Sequence, residues 1–258
     1  MNSTRQIGRW EHYFWPLFAV AIAVLIWQFS VRLTGSKIFP SPLDVERGIA
    51  ELIRKGLLWR YIGDSLRRVG IGYCAAALLG IPVGLALGLL PAAAQVVNPV
   101  IQMLRPISPI AWIPLAILWF GVNDFAAVYL IFLAAFFPIV VSSMGGVRDV
   151  PARYRQSGRN FGLSPLQLVA KIVFPASIPQ IIIGLRIALG ISWLVVVAAE
   201  MIAVDSGLGY LVIDARNSGK RYDLVVAAML MIGVIGLGLD LAIRRLEKLQ
   251  SVRWGFGG

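Results

Sequence analysis

Four ionisable side chains of this 258-residue chain stand in apolar surroundings: Arg105 among Pro106, Pro109 and Pro114, Arg186 and Glu200 in one long apolar run, and Asp240 near the end of another. Charge is expensive in such a setting and faces a cavity, an opposite charge or a translocated ion. Arg186 and Glu200 lie fourteen positions apart, about 21 Å along a helix, so they need different partners. Glu200 is matched to a basic group such as Arg67 or Arg68, and Asp240 to Arg244 at the i+4 spacing of a helical ion pair. Arg105 is different. With Ser108 and Trp112 it occupies a stretch whose prolines interrupt a helix, and interrupted backbone lining a cavity offers a cation and N–H donors to an oxyanion. Arg105, Ser108, Trp112 and Glu200 are therefore the pathway candidates, Glu200 the odd one because a carboxylate repels an anion.

The same inventory holds no catalytic set and no metal site. His12 is the only histidine and precedes the first apolar run, and Cys74 is the only cysteine. Neither a Ser-His pair, nor a Cys/His metal cage, nor a disulfide framework can assemble within one chain. No G-x4-G-K-[ST] occurs either, so a phosphate-cradling loop of that kind is absent and no cofactor is expected in this chain.

Composition names the medium. With 58% hydrophobic residues and a mean hydropathy of +0.78, the chain is too apolar for a water-soluble domain and suits several membrane spans. The formal charge of +11 is dispersed in short segments between apolar runs, as in loops beside anionic lipid, which argues against nucleic acid as a partner. The runs are Tyr13 to Val31, Val69 to Leu90, Ile110 to Phe120, Phe125 to Met144, Ile178 to Val204 and Leu224 to Ile243. Most reach the roughly 20 residues that cross a hydrocarbon core, so the expected fold is an all-α membrane protein of about six transmembrane helices. The third run is short and proline-punctuated, and a span there is kinked or broken and sheltered by its neighbours. Residues 1–12 form an N-terminal arm, 13–247 the transmembrane domain with a loop over 145–175, and 248–258 a tail. The first run is long for a signal sequence and lacks a small-x-small cleavage site, so it is read as a retained helix.

Two further patterns organise the bundle. Gly72, Ala76, Gly80, Gly84 and Gly88 recur every four residues, a stripe that lets another backbone come close, and Gly233 and Gly236 read likewise. Val45, Ile49, Leu52 and Ile53 make a short amphipathic helix after Pro40-Ser-Pro-Leu-Asp44, lying on the membrane surface or packed on the bundle. The loop has structure of its own. Pro151 to Gly158 can form a polar helix, Gly162 permits a left-handed turn, Ser164-Pro165 caps a second helix, and Pro175 is expected to end it before the next span.

Charge favours placing both termini, the Pro91–Pro109 stretch and the loop in the cytoplasm, since loop and tail carry Arg148, Arg153, Arg155, Arg159, Lys171, Arg244, Arg245, Lys248 and Arg253. The segment Arg32 to Arg68 is also basic, so charge leaves the opposite orientation open.

Gly162, Ile172 and Pro175 fit G-x9-I-x-[LF]-P, and Arg148 to Pro175 resembles the coupling loop, the EAA loop, of bacterial ABC importer permeases. Further words resemble the permease branch that serves nitrate, aliphatic sulfonates, taurine and bicarbonate. They are Phe39-Pro-Ser-Pro42, Ser65-Leu-Arg-Arg68, Leu104-Arg-Pro-Ile-Ser-Pro-Ile-Ala-Trp-Ile-Pro-Leu115, Leu118-Trp-Phe-Gly121, Phe137-Pro138, Pro175-Ala-Ser-Ile-Pro179, Gly184-Leu-Arg186, Ala199-Glu-Met201 and Gly207-Leu-Gly-Tyr210. One departure is Gln156-Ser-Gly158 where the family has Glu-Ala-Ala.

The resemblance implies a type I ABC importer permease fold and a cytoplasmic loop. It also implies a bacterial inner-membrane complex of two permease copies, two ABC ATPase subunits that hold ATP and Mg, and a substrate-binding protein. The loop residues that would couple to the ATPase are Arg153, Arg155, Gln156, Ser157, Gly158, Arg159, Gly162, Leu163 and Ser164. The implied cargo is a small oxyanion of the sulfonate/taurine or nitrate type. The alternative from another class is an ion-coupled carrier or channel without an ATPase, for which Glu200 is the only intramembrane acid of note.

Overall fold

The computed structural model describes residues 11–34 and 39–247, and its described residues form eleven α-helices with a 3-10 turn and a π-turn. The expected arm, residues 1–10 of it, and the tail over 248–258 lie outside the described residues. In chain order the helices are α1 (Glu11–Thr34), α2 (Pro42–Arg54), α3 (Leu57–Leu89), α4 (Pro91–Leu104), α5 (Ile113–Phe120), α6 (Asp124–Arg148), α7 (Ala152–Asn160), α8 (Pro165–Leu168), α9 (Phe174–Ile202), α10 (Leu208–Gly219) and α11 (Tyr222–Glu247).

Four helical stretches are long and apolar enough to cross a membrane: α3, α6, the continuous Pro165–Ile202, and α11 over Tyr222–Arg245. The pair Pro91–Leu104 and Pro109–Phe120, bent by 86° at its break, has the length and composition of a broken span or a re-entrant loop. The Pro91–Pro109 stretch is largely helix, its Ala94 and Ile101 buried against Leu87, Val140 and Met144, because apolar side chains there complete a face of α6. The expected first span falls on α1, 24 residues long, whose described apolar part is Phe18–Leu33.

The glycine stripe sets the central packing. Gly72, Ala76, Gly80, Gly84 and Gly88 are all buried on α3. A Cβ at Gly72 would sit 2.8 Å from Ile131 Cβ, and one at Gly88 2.5 Å from Val147 Cβ. The stripe thus brings α3 and α6 to backbone contact along their length. On the other side α6 meets α9, where Gly146 lies against Ser177 and Gly184 against Ser142. Trp193 of α9 donates its indole N–H to the Ile232 carbonyl of α11 at 3.0 Å and fills the space that Gly236 leaves. Gly233 behaves otherwise, with open space where its Cβ would be.

These contacts define two ends. α7 and α8 mark the loop end, and α2 and α10 the far end. At the far end Ser41 and Asp44 form a capping box that starts α2, and Val45 and Leu52 are buried in the cluster that includes Ala227 of α11. The amphipathic helix therefore packs on its own bundle. A clasp holds it there: Arg221, just before α11, donates to Glu51 at 2.7 Å and to Asp223 at 2.7 Å, and Lys55 reaches Glu51 at 2.6 Å.

Two outcomes follow from this packing. Gly72→Val forces a branched side chain into a backbone contact and should cost about 1–3 kcal/mol, read as a lower unfolding midpoint in detergent, whereas Gly70→Ala, with nothing near its Cβ, should not lower it. Arg221, and after it Lys55, hold the Glu51 carboxyl down from 4.5 to about 2. A depressed carboxylate stabilises the fold above its unfolded pKa and ceases to as pH falls through the folded one. The stability difference between the native chain and Glu51→Gln should therefore be full above 4.5 and vanish on acidification toward about 2.

Candidate coupling loop and membrane pathway

The loop is a turn of two short helices set on the end of a long one. Its first helix, α7, ends where Gly162 takes φ +76°, a left-handed conformation that glycine adopts without the strain of a Cβ. Ser164 then caps α8 reciprocally with Gln167. A π-turn over Val169–Val173 follows, and α9 begins at Phe174. Pro175 does not end the helix, as the sequence led us to expect. It sits in the first turn of α9, and the widened turn before it relieves the clash between a proline ring and the carbonyl four residues back. The loop is consequently continuous with a membrane span, Pro165–Ile202.

The expected coupling residues divide by environment. Arg153, Gln156, Ser157, Arg159 and Ser164 are exposed, Gly162 among them at the turn, while Arg155 and Leu163 are half-buried. Arg153 stacks over Tyr154 with its guanidinium 5.2 Å from the ring centre, and Arg155 donates to the Val150 carbonyl at 3.3 Å. Gly158 is buried: a Cβ there would meet Leu168 Cδ1 at 2.9 Å and crowd Ile172. Its smallness seats α7 on α8 and the π-turn, so it faces inward and not outward with the others. Apolar groups that sequence reasoning left out are also strongly exposed on the loop, Phe161 at 86% and Leu166 at 80%. A cleft of about 840 Å³, lined by Tyr154, Phe161, Leu163, Ile172 and Pro179 among others, opens beneath them.

The pathway candidates fall in two places. Arg105 and Trp112 line one cavity with Phe137, Ser142, Ile187 and Ile191, at the break between α4 and the 3-10 turn Pro109–Trp112. Ser108 precedes that turn, and its side chain caps nothing. Glu200 is elsewhere and fully buried. One of its oxygens accepts from Arg68 at 2.7 Å, the other from Ser65 Oγ at 2.8 Å and the Gly209 N–H at 3.0 Å. Arg68 also donates to Asp124 at 2.8 Å through Nε and to the carbonyl and hydroxyl of Ser206. Arg67 pairs with the other oxygen of Asp124. Gly207, at φ +105°, lies so close that a Cβ would run into the Glu200 carboxylate. Glu200 is thereby a junction of α3, α6, α9 and α10, its acceptors taken by protein donors. Arg186, in contrast, is joined to Asp240 at 3.1 Å, which also binds Arg244 at 2.7 Å.

Residues 78–252 match the profile of the family described as binding-protein-dependent transport system inner membrane component. The chain belongs to this family. As a permease it is 37% identical over 244 residues to a nitrate import permease protein of Synechocystis sp., covering 91% of this chain and 88% of that one. It is 32% identical to the taurine transport system permease protein of Escherichia coli, covering 91% and 90%. Its fold is similar to that of a chain in an inward-facing MetNI methionine ABC transporter, with TM-score 0.65 and 19% identity over 75% of this permease and 95% of that chain. The permease is thus an all-α, multi-pass membrane protein of the type I importer fold, and a transporter component.

Sequence reasoning anticipated the Arg68–Glu200 pairing but not Asp124, Ser206 or the glycines that complete it. The signal was present in the adjacent words Ser65-Leu-Arg-Arg68, Glu200 and Gly207-Leu-Gly209, whose common destination only the fold supplies. Removing one member of a buried pair strands the other charge, at about 3–5 kcal/mol. Arg68→Met should lower the unfolding midpoint of the permease by more than the double change Arg68→Met with Glu200→Leu, and equal losses would contradict the junction.

Proposed function

We propose that the permease imports a small oxyanion, of the nitrate or sulfonate type, across the bacterial cytoplasmic membrane. Two copies form the pathway, two ATPase subunits bind ATP and Mg and seat on the loops, and a binding protein delivers cargo at the far end. The observation that carries this reading is the loop: a capped helical turn, apolar at its tip, continuous with a membrane span. A short helix held rigidly to a span passes displacement into the bundle, which a slack connection would absorb. Arg148, Arg153, Arg159 and Lys171 at the same end support a cytoplasmic loop by the positive-inside bias. The nitrate and taurine systems of its relatives support the cargo class. The residues proposed to touch the ATPase are Arg153, Gln156, Ser157 and Arg159 on α7 with Phe161 and Leu166 at the tip.

Gly162→Val tests the coupling. It puts a β-branched residue at positive φ and costs the turn its geometry. In reconstituted complexes the stimulation of ATP hydrolysis by loaded binding protein should fall sharply while the permease remains folded. Unchanged stimulation, together with failure of cysteines at Ser157 or Phe161 to cross-link to the ATPase, would overturn the assignment.

A further inference from the structure

Of the intramembrane cations, Arg68 and Arg186 are each tied to acids, whereas among the described residues the Arg105 side chain has no hydrogen bond or ion pair. Its depth makes this informative. The cavity it lines is bounded by Phe137 and Pro138, halfway along α6 (Asp124–Arg148), and by Ile187, halfway along α9 (Phe174–Ile202). Arg105 is exposed on the single chain, and a guanidinium lining a cavity between spans, without a counter-charge among the described residues, is stabilised by water or by an anion.

From this we infer that the Arg105 cavity is a binding site for the oxyanion itself, a resting place halfway across the bilayer. The inference rests on the importer reading above and adds a location to it. The volume is about 190 Å³, which admits a single planar or tetrahedral oxyanion together with water. The planar fork of Arg105 pairs with two oxygens of such a group. Trp112 and Ser142 line the same cavity, and Phe137, Ile187 and Ile191 keep it apolar. Low polarity strengthens the attraction between guanidinium and anion relative to water.

The test uses the full complex in liposomes, with uptake of nitrate and of taurine measured per ATP hydrolysed. Arg105→Ala should lower that ratio by at least about tenfold, the loss expected when a charged hydrogen bond disappears, and Arg105→Lys should retain an intermediate value because charge persists without the fork. A second arm needs no transport. In a Cys74→Ser background, Ile187→Cys should react with a negatively charged methanethiosulfonate reagent, more slowly when nitrate or taurine is present and without that protection when Arg105→Ala is added. Native uptake per ATP in Arg105→Ala overturns the site, as does labelling indifferent to both anions. Should Arg105→Ala fail to assemble, the protection of Ile187→Cys in the otherwise native complex decides. A native complex whose ATPase answers to the binding protein but which imports neither anion overturns the oxyanion reading, and the site with it.

Discussion

A single buried ion pair, Arg68 with Glu200, constrains the far end of this permease more than any other contact. Neither charge is tolerable alone when buried, so each fixes where the other's helix can lie. The remaining valences of the pair are filled by Ser65, Asp124, Ser206 and the Gly209 N–H, which brings in the start of α6 and the turn that leads to α10. Gly207 is glycine because the carboxylate occupies the space a side chain would need. The path of the chain from α9 into α10 is thus dictated by a charge that arrives from α3.

The loop end is built on the opposite principle. Small apolar contacts among Val147, Val150, Leu168 and Val173 and the close seat of Gly158 hold α7 and α8, with no buried charge in that cluster. Between the ends, α3 and α6 run in backbone contact and behave as one member. The bent pair beside them is the exception, and its break lies next to Arg105. Polar fixation at one end and apolar seating at the other thus flank an interrupted helix pair.

The sequence disclosed much of this, and its omissions are instructive. The every-fourth-residue glycines announced the α3–α6 contact because helix packing leaves a one-dimensional trace. Gly162 and Ser164 announced the loop turn because caps and positive φ are local. Asp124 and Ser206 were silent, since their partners lie 56 and 138 positions away and nothing in a linear reading brings them together. Gly233 and Gly236 looked alike, yet only Gly236 has a neighbour, because a bulky Trp193 chose one of the two. Pro175 misled in an informative way: proline forbids a hydrogen bond of the α-helix, not a helix as such.

The π-turn at Val169–Val173 carries a consequence for counting. Leu168 and Val173 are buried in the same cluster, yet five residues on a regular α-helix differ by about 140° in direction. The wider turn takes up that surplus, so one residue has in effect been spliced into the screw thread between the loop and the span. Any chimera joined across this stretch must preserve the number of residues, because a graft one residue short would present the whole loop on the wrong bearing while leaving every side chain unchanged.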